Sequence, residues 1–353
     1  MANRQVNHFD VLVVGGGPAG SAAAISCAQR GLRVAQLEGQ GFPRFRPGES
    51  LHPGIEPLLQ QLGVADQVCS QGTIRFPGQW VQWDGPPRFS GFGEDLAGPW
   101  LGFQIARARL DAELLQRAEM LGVRVLQPCR ARRLLTHDRR VIGLESDSGP
   151  LFAPYLIDAS GATGWLSRQF SLKVRRHSPQ LIARYGYLKG CIDPYEQTPH
   201  LRADPDGWTW VARVEDQLLH WTRLCFDKSS PKSRSVPEHL QRLPFAGSIR
   251  GADVSWRISA ALAGAGFFTV GDAASVLDPA ASHGVLKALM TGMQAAQAVF
   301  DCLQQPDVQY EAQAQYSRWV RDWFERDLMQ MHRFYGAHPC PPDWLEHSAR
   351  SVS

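Results

Sequence analysis

Val11-Leu12-Val13-Val14-Gly15-Gly16-Gly17-Pro18-Ala19-Gly20 is the stretch of sequence that decides the fold. Its apolar, mostly β-branched start is typical of a strand buried on both faces, and the alanine-rich residues 21–29 favour a helix. Gly15 permits the tight turn, Gly17 lets a pyrophosphate approach the backbone, and Gly20 lets the helix pack on the strand. Unpaired N–H groups at such a helix start attract phosphates.

A second strand and an acidic residue complete the pattern around this turn. The apolar residues 32–37 predict a strand that ends at Glu38, whose carboxylate can accept hydrogen bonds from a ribose. Strand, glycines with Pro18 and Ala19, helix, strand and acid in this order predict a dinucleotide site. The alternative is an ordinary βαβ unit without a ligand.

Composition excludes several classes of protein. The 353 residues are enough for one or two domains, and a formal net charge of +3 argues against nucleic acid as the main partner. Seven cysteines without a C-x-x-C pattern predict neither a disulfide framework nor a metal site. The start of the chain does not read as a leader peptide and no long apolar run occurs, so we expect a cytoplasmic protein that uses no membrane.

The second half of the chain changes character twice. Residues 173–257 favour antiparallel strands, and the alternation over 207–214 and 218–226 predicts a hairpin with one buried face. Trp208 and Trp210 fall on the same face, where sheet core is favoured over ligand stacking. Residues 265–270 predict another buried strand, and long helices are expected from Gly284 and over 310–335.

Four separated motifs resemble those of the FAD-dependent monooxygenase and halogenase superfamily, which has a para-hydroxybenzoate-hydroxylase-like fold. The resemblance covers nearly the whole chain. The motifs are the glycine turn with Glu38; Arg44 and Arg46 with Ser50 and Arg107; Asp158-Ala159-Ser160-Gly161; and Gly271-Asp272 with Pro279 and Gly284. In that family these positions bind FAD, so the resemblance implies FAD as the cofactor and these residues as its contacts. No metal ligand is implied.

The resemblance also implies the architecture. We expect an α/β fold with a Rossmann-like FAD-binding domain and an inserted antiparallel β-sheet substrate domain. The FAD-binding domain would comprise residues 1–75, 100–165 and 255–353, and the substrate domain residues 76–99 and 166–254. Since no second glycine motif follows a strand, a dedicated NAD(P)H domain is not expected and electrons must come from an external reductant.

The halogenase branch of the superfamily is only partly matched. Gly48-Glu49-Ser50 and Asp278-Pro279 look like the corresponding halogenase segments, but Trp208-Thr209-Trp210 is not followed by the family's Ile-Pro. Halogenases also rely on a lysine in the N-terminal third to handle hypohalous acid, and here no lysine precedes Lys173. Arg75 stands near that position, and its guanidinium stays protonated and cannot replace an amine. On these grounds we expect no halogenase activity, and halogenation is kept only as an alternative.

A nearer resemblance is to the flavoproteins that mature tryptophylquinone-dependent oxidases. It rests on residues 206–210, 220–224 and 278–287. It implies an FAD-dependent monooxygenase that hydroxylates an aromatic ring, namely a tryptophan side chain in a precursor protein, during quinone-cofactor biogenesis. The partners would be that precursor, O₂ and the reductant. A monooxygenase of a free small aromatic and a non-catalytic FAD-binding maturation chaperone remain as alternatives.

Two residues are candidates for proton handling in such a reaction. A proton must reach the oxygen that leaves the flavin, and another must leave the hydroxylated ring. His283, beside the expected flavin, is the first candidate, and its alternative role is to hydrogen-bond its own loop. Glu49 is the second, and its alternative role is to position Arg46.

Overall fold

A computed structural model of the protein describes residues 7–44, 46–69, 73–195, 197–227 and 235–345. Its strands are β1 (Val11–Val14), β2 (Val34–Leu37), β3 (Ser50–Leu51), β4 (Arg75–Phe76), β5 (Gly78–Gln82), β6 (Arg88–Gly91), β7 (Glu94–Asp95), β8 (Gly98–Pro99), β9 (Gly102–Gln104), β10 (Arg124–Leu126), β11 (Ala131–His137), β12 (Arg140–Ser146), β13 (Gly149–Phe152), β14 (Tyr155–Asp158), β15 (Val174–Arg176), β16 (Ile182–Lys189), β17 (His200–Asp204), β18 (Gly207–Glu215), β19 (Leu218–Cys225), β20 (Arg250–Asp253), β21 (Arg257–Ser259), β22 (Ala263–Gly264), β23 (Phe267–Thr269) and β24 (Ser275–Val276). The α-helices are α1 (Pro18–Gln29), α2 (Glu56–Leu62), α3 (Ala65–Val68), α4 (Arg107–Met120), α5 (Trp165–Gln169), α6 (Gly284–Gln304) and α7 (Gln309–Gly336).

A six-stranded sheet in the order β10-β2-β1-β14-β23-β22 carries the glycine turn. Its first five strands are parallel, and β22 adds an antiparallel edge. All four residues of β1 are buried, as their apolar character predicted. Helix α1 packs on α6, and both contribute small apolar side chains to the main core.

The sequence was misread at one strand of this region. From the sequence alone, residues 123–126, 132–135 and 141–145 predict a three-stranded meander, but β10 instead pairs in parallel with β2 at the edge of the main sheet. The meander consists of β11, β12 and β13. The reason is topological, because α4 returns the chain across the sheet and so brings the next strand in parallel.

A seven-stranded sheet in the order β20-β16-β19-β18-β17-β5-β6 forms the second layer. It is antiparallel except where β17 and β5 run in parallel. The predicted hairpin is β18 and β19, and Trp208 is fully buried in the core while Trp210 packs against it. The α/β class with an inserted antiparallel sheet is thus confirmed, and all seven strands fall within residues 76–99 and 166–254. The exact domain boundaries stay a prediction.

The C-terminal helices close the molecule against both sheets. Tyr316 on α7 is buried and donates a hydrogen bond to the carbonyl oxygen of Thr269 at 2.7 Å, which ties α7 to β23. Phe334 on the same helix stacks on Trp83 at the edge of the inserted sheet, with ring centroids 4.0 Å apart. Among the described residues, no helix combines the length and the hydropathy needed to span a membrane.

Candidate functional site

The three predicted glycines of the first turn differ in whether the fold leaves room for a side chain at their positions. A Cβ on Gly15 would overlap the backbone oxygen of Ala159, and one on Gly20 would overlap the backbone oxygen of Gly15. Both are therefore required by the packing of the fold. A Cβ on Gly17 would meet only Arg44 Nη2, at 3.3 Å, and Gly17 supplies no side-chain cap to α1, which opens with Pro18 and Ala19. The space beside Gly17 at this helix start is a cradle that fits a phosphate.

Glu38 lies at the rim of that cradle. Its Oε2 accepts hydrogen bonds from the Gly16 amide at 2.8 Å and from Arg44 Nη1 at 2.9 Å, and its Oε1 accepts one from the Gln40 amide at 2.9 Å. The carboxylate is 5% exposed. It therefore holds a fixed position beside the cradle, where the ribose of a dinucleotide fits.

A buried aspartate that sequence reasoning missed holds the two predicted arginines together. Asp111 on α4 is fully buried, with Oδ2 3.3 Å from Arg44 Nη2 and Oδ1 3.0 Å from Arg107 Nη2. Arg107 also donates to the Pro47 carbonyl oxygen at 2.6 Å. One carboxylate thus orients two cations toward the same region. The signal available in the sequence was the spacing of four residues between Arg107 and Asp111 on a predicted helix.

The remaining residues of the second motif, Arg46 and Ser50, do not contact Asp111. Arg46 is exposed and reaches Gln40 Oε1 at 3.5 Å, so it lies outside the cluster around Asp111. Ser50 Oγ donates to Gln104 Oε1 at 2.9 Å, an interaction that joins β3 to β9. Phe45, between the two arginines, lies outside the described residues.

The fourth motif lies against the first. A Cβ on Gly271 would stand 2.9 Å from the Cβ of Ala19, so the strand end before Asp272 lies against the start of α1. Asp272 is exposed and borders a cavity of about 450 Å³ that Gly164, Arg257 and Ser275 also line. The Asp272 carboxylate thus lies beyond the cradle at Gly17 and, as a hydrogen-bond acceptor, is of the kind that binds sugar hydroxyls.

The loop before α6 carries the other predicted contacts. Pro279 and Gly284 are exposed, and nothing lies within 4 Å of a Cβ built on Gly284. His283 is the N-cap residue of α6 and gives no side-chain cap, so the helix start keeps free N–H groups. Its Nδ1 lies 3.9 Å from Asp327 Oδ2, and the side chain is 36% exposed.

Glu49, the second proton-handling candidate, has partners that the sequence did not indicate. It is 1% exposed, and its carboxylate accepts hydrogen bonds from Tyr187 Oη and from the Gly48 amide. His220 Nδ1 lies 3.5 Å from its Oε2. The expected alternative, that Glu49 positions Arg46, does not describe these contacts.

A chain of buried polar groups anchors the loop that carries Pro279. Tyr335 Oη on α7 donates to Asp278 Oδ2 at 2.5 Å, and Trp208 Nε1 on β18 donates to Tyr335 Oη at 2.9 Å. The Asp278 side chain also caps the turn by accepting from the Ala280 amide at 2.8 Å. Burial raises the pKa of Asp278 from 3.8 to about 6, although Tyr335 and the Ala280 amide lower it.

Because of the raised pKa of Asp278, we expect the stability of the fold to depend on pH. The folded protein binds the Asp278 proton more tightly than the unfolded chain, so its contribution is present at low pH and is lost as pH rises through about 6. We expect the free energy of unfolding to lose on the order of 1 kcal/mol from this group between about pH 5 and pH 8. The variant Asp278→Asn should lack that loss in urea unfolding, whereas exposed Asp84→Asn should retain it. Equal pH slopes in all three proteins would contradict this assignment.

Comparison with known proteins decides the family. A family model described as tryptophan halogenase matches residues 10–98 and 95–339. The chain belongs to the tryptophan halogenase family. Tryptophan 2-halogenase of Chondromyces crocatus is 31% identical over 82% of this chain, which spans 60% of that relative's length. The crystal structure of the flavin-dependent halogenase CmlS matches 96% of this chain and 67% of its own, with 26% identity and a TM-score of 0.84.

Membership in the tryptophan halogenase family confirms several predictions and redirects others. FAD is the cofactor, and the fold is that of flavin-dependent halogenases. These matches give no support to the nearer resemblance to tryptophylquinone maturases. They favour halogenation, the alternative of the sequence analysis, over the hydroxylation that it preferred. Another relative, the 1H-pyrrole-2-carbonyl-[peptidyl-carrier protein] brominase of Pseudoalteromonas luteoviolacea, is 28% identical over 82% of this chain.

Proposed function

We propose that this member of the tryptophan halogenase family is a flavin-dependent oxidoreductase that uses reduced FAD and O₂ to hydroxylate an electron-rich aromatic ring. Bound reduced FAD would supply the electrons that activate O₂. The residues of this chain would bind the cofactor and orient it. The cradle at Gly17, with Arg44 and Arg107 held by Asp111, suits the phosphates. Glu38 suits the ribose, and Asp272 suits the ribityl hydroxyls. The free N–H groups of the first turn of α6, which begins at Gly284, suit negative charge on the reduced ring.

The observation that carries hydroxylation over halogenation is the environment of Arg75. No lysine precedes Lys173, and Arg75 stands near the position expected for the halogenase lysine. Its Nη1 pairs with Glu56 Oε2 at 2.7 Å, and its guanidinium lies 5.2 Å from the ring centroid of Phe103. The Glu56 hydrogen bond raises the pKa of Arg75 further. A side chain held charged and paired in this way has no free amine for handling hypohalous acid.

Halogenation is the second candidate, and the family match favours it. The curated relatives considered above are a tryptophan halogenase and a brominase by name. The chain keeps the two tryptophans of the halogenase motif at Trp208 and Trp210, although Ala212-Arg213 follows in place of Ile-Pro. A halogenated product would therefore require another residue in place of the lysine.

For the substrate, we propose a tryptophan side chain presented by a precursor protein, as the resemblance to the maturases implies. The carrier-protein substrate in the name of one relative offers a parallel, since there too the reacting ring is attached to a protein. A free small aromatic is the competing substrate. A non-catalytic FAD-binding chaperone would release peroxide from reduced FAD and O₂ and modify nothing.

Product analysis tests this proposal. In one experiment, purified protein with reduced FAD, O₂ and bromide or chloride is incubated with free tryptophan, indoles and phenols. In a second experiment, the protein is co-expressed with a candidate precursor protein. We expect one oxygen atom to be added to a single tryptophan of the precursor, detected by mass spectrometry, with little product from free rings. Detection of a halogenated product above the enzyme-free control would decide for halogenation. Efficient oxygenation of a free ring would decide for the small-molecule substrate.

A further inference from the structure

Three titratable side chains meet in a buried cluster where the inserted sheet touches the loop before β3. Glu49, Tyr187 and His220 are 1%, 9% and 3% exposed. Tyr187 on β16 and His220 on β19 are direct partners in the antiparallel register, so both project from the same face. Their ring centroids are 5.1 Å apart. Groups of this kind are costly to bury, so their combination in one place points to a chemical task.

The hydrogen bonds in the cluster converge on one carboxylate. Tyr187 Oη donates to Glu49 Oε1, the Gly48 amide donates to Oε2 at 2.8 Å, and His220 Nδ1 lies 3.5 Å from Oε2. Burial lowers the pKa of His220, although the charge of Glu49 opposes that effect. Burial also raises the pKa of Tyr187 well above its ordinary value. The arrangement is therefore a buried carboxylate whose side-chain partners, Tyr187 and His220, are both held neutral by burial.

The cluster borders the flavin end of the cofactor site. A Cβ on Gly48 would meet Val285 Cγ2 of the first turn of α6 at 3.2 Å and Arg107 Nη1 at 3.0 Å. The charges of Glu49 and Asp272 both act on Arg107. One cation therefore connects the buried carboxylate with the residue proposed to hold the ribityl chain.

We propose that Tyr187, Glu49 and His220 form a buried proton relay for the oxygenation, in which Tyr187 and His220 are positioning residues for Glu49. The proposal rests on the proposed function. Reduced FAD, O₂ and an aromatic C–H give oxidised FAD, the hydroxylated ring and water. In that balance the ring carbon forms a C–O bond and loses a proton, and the second oxygen atom leaves as water after taking one up. The relay accepts the proton lost by the ring and supplies the proton taken up by the departing oxygen, so its own protonation state is unchanged after each reaction.

Other charged and titratable groups face this cluster and set the background for any pH dependence. Arg107 on α4 faces Glu49. Tyr185, two residues before Tyr187 on the same face, has a pKa raised by burial and is acted on by Arg46, Arg250, Glu49 and Arg107. Thr222 Oγ1 lies 3.5 Å from His220 Nε2 on the other side of the imidazole. Since Tyr185 is a neighbour of the cluster rather than a donor to Glu49, it provides a matched control.

Reoxidation of bound flavin tests the relay without the unidentified substrate. FAD-loaded protein is reduced with dithionite and mixed with O₂ from pH 5.5 to pH 9, and flavin absorbance and H₂O₂ release are followed. Tyr187→Phe and His220→Gln should slow the proton-dependent release of H₂O₂ by about 100-fold and shift its pH profile. Their FAD dissociation constants should stay within about threefold of wild type. Tyr185→Phe should keep the wild-type profile.

A merely structural role for the cluster predicts another pattern, namely a lower melting temperature or weaker FAD binding with an unchanged pH profile in both variants. That pattern would overturn the relay. As a measurement independent of turnover, ¹⁵N spectra of histidine-labelled wild type should show His220 neutral, with the proton on Nδ1, from pH 6 to pH 8. A charged imidazole in that range would also overturn it. If the reduced wild-type protein fails to react with O₂, the proposed function itself is wrong. If the wild type reacts but Tyr187→Phe and His220→Gln release H₂O₂ at the same rate and with the same pH profile, only the relay is wrong.

Discussion

Gly17→Val is expected to give a folded, colourless protein whose affinity for FAD is at least about 100-fold lower than that of wild type. Gly17 has φ −80°, which any residue adopts, and its Cβ would meet only the tip of the Arg44 side chain. The fold should therefore tolerate valine. A branched side chain at the helix start, however, fills the space that the phosphates need and keeps their oxygens away from the N–H groups.

Circular dichroism and flavin fluorescence titration check this expectation, and the other glycines supply the controls. Gly17→Ala should bind FAD with intermediate affinity, because it adds only one methyl group. Gly20→Ala should instead reduce stability, since its Cβ would overlap the backbone oxygen of Gly15. Stoichiometric FAD in purified Gly17→Val would refute the cofactor assignment.

Replacement of Asp111 is expected to have the largest effect on stability. Asp111→Ala leaves Arg44 and Arg107 without the carboxylate that both contact, and these arginines are only 14% and 11% exposed in their side chains. Breaking a buried ion pair by removing one partner costs about 3–5 kcal/mol. The freed guanidinium groups would also lose their orientation toward the phosphate cradle, so FAD affinity should fall together with stability.

Chemical denaturation of the FAD-free proteins separates the two effects. Glu119→Ala is the matched control, because it removes an exposed carboxylate from the same helix α4. It should change the free energy of unfolding by less than about 0.5 kcal/mol. A similarly small change in Asp111→Ala would show that the two arginines do not depend on this carboxylate.

The parts of the site that could be predicted are those encoded locally. The strand, glycine turn and helix at Val11–Gln29 follow from consecutive residues, as does the helix that begins at Gly284. Arg44 and Arg107 were found through their resemblance to a family motif, but their common partner was not. The pairing of Arg44 with Asp111 spans 67 residues and depends on how α4 lies on the main sheet.

The proton-handling residues show the same limit more sharply. Glu49 could be singled out from its own segment, whereas Tyr187 and His220 contact it only because of the register between β16 and β19. A shift of one residue in that register would turn both side chains to the opposite face. Likewise, β10 was misplaced because pairing direction is set by the preceding helix rather than by the strand's own residues. His283 and the other predicted cofactor contacts stay predictions.

The hydrogen-bonded chain from Trp208 through Tyr335 to Asp278 has a thermodynamic consequence. It joins the inserted sheet, helix α7 and the loop that carries Pro279 through buried groups. A ligand on the sheet that displaces Trp208 would therefore change the free energy of that loop, which is proposed to contact FAD. If it alters the affinity for FAD by some factor, FAD must alter the affinity for that ligand by the same factor. Binding at the inserted sheet and binding of FAD would then be linked through one tryptophan, one tyrosine and one aspartate.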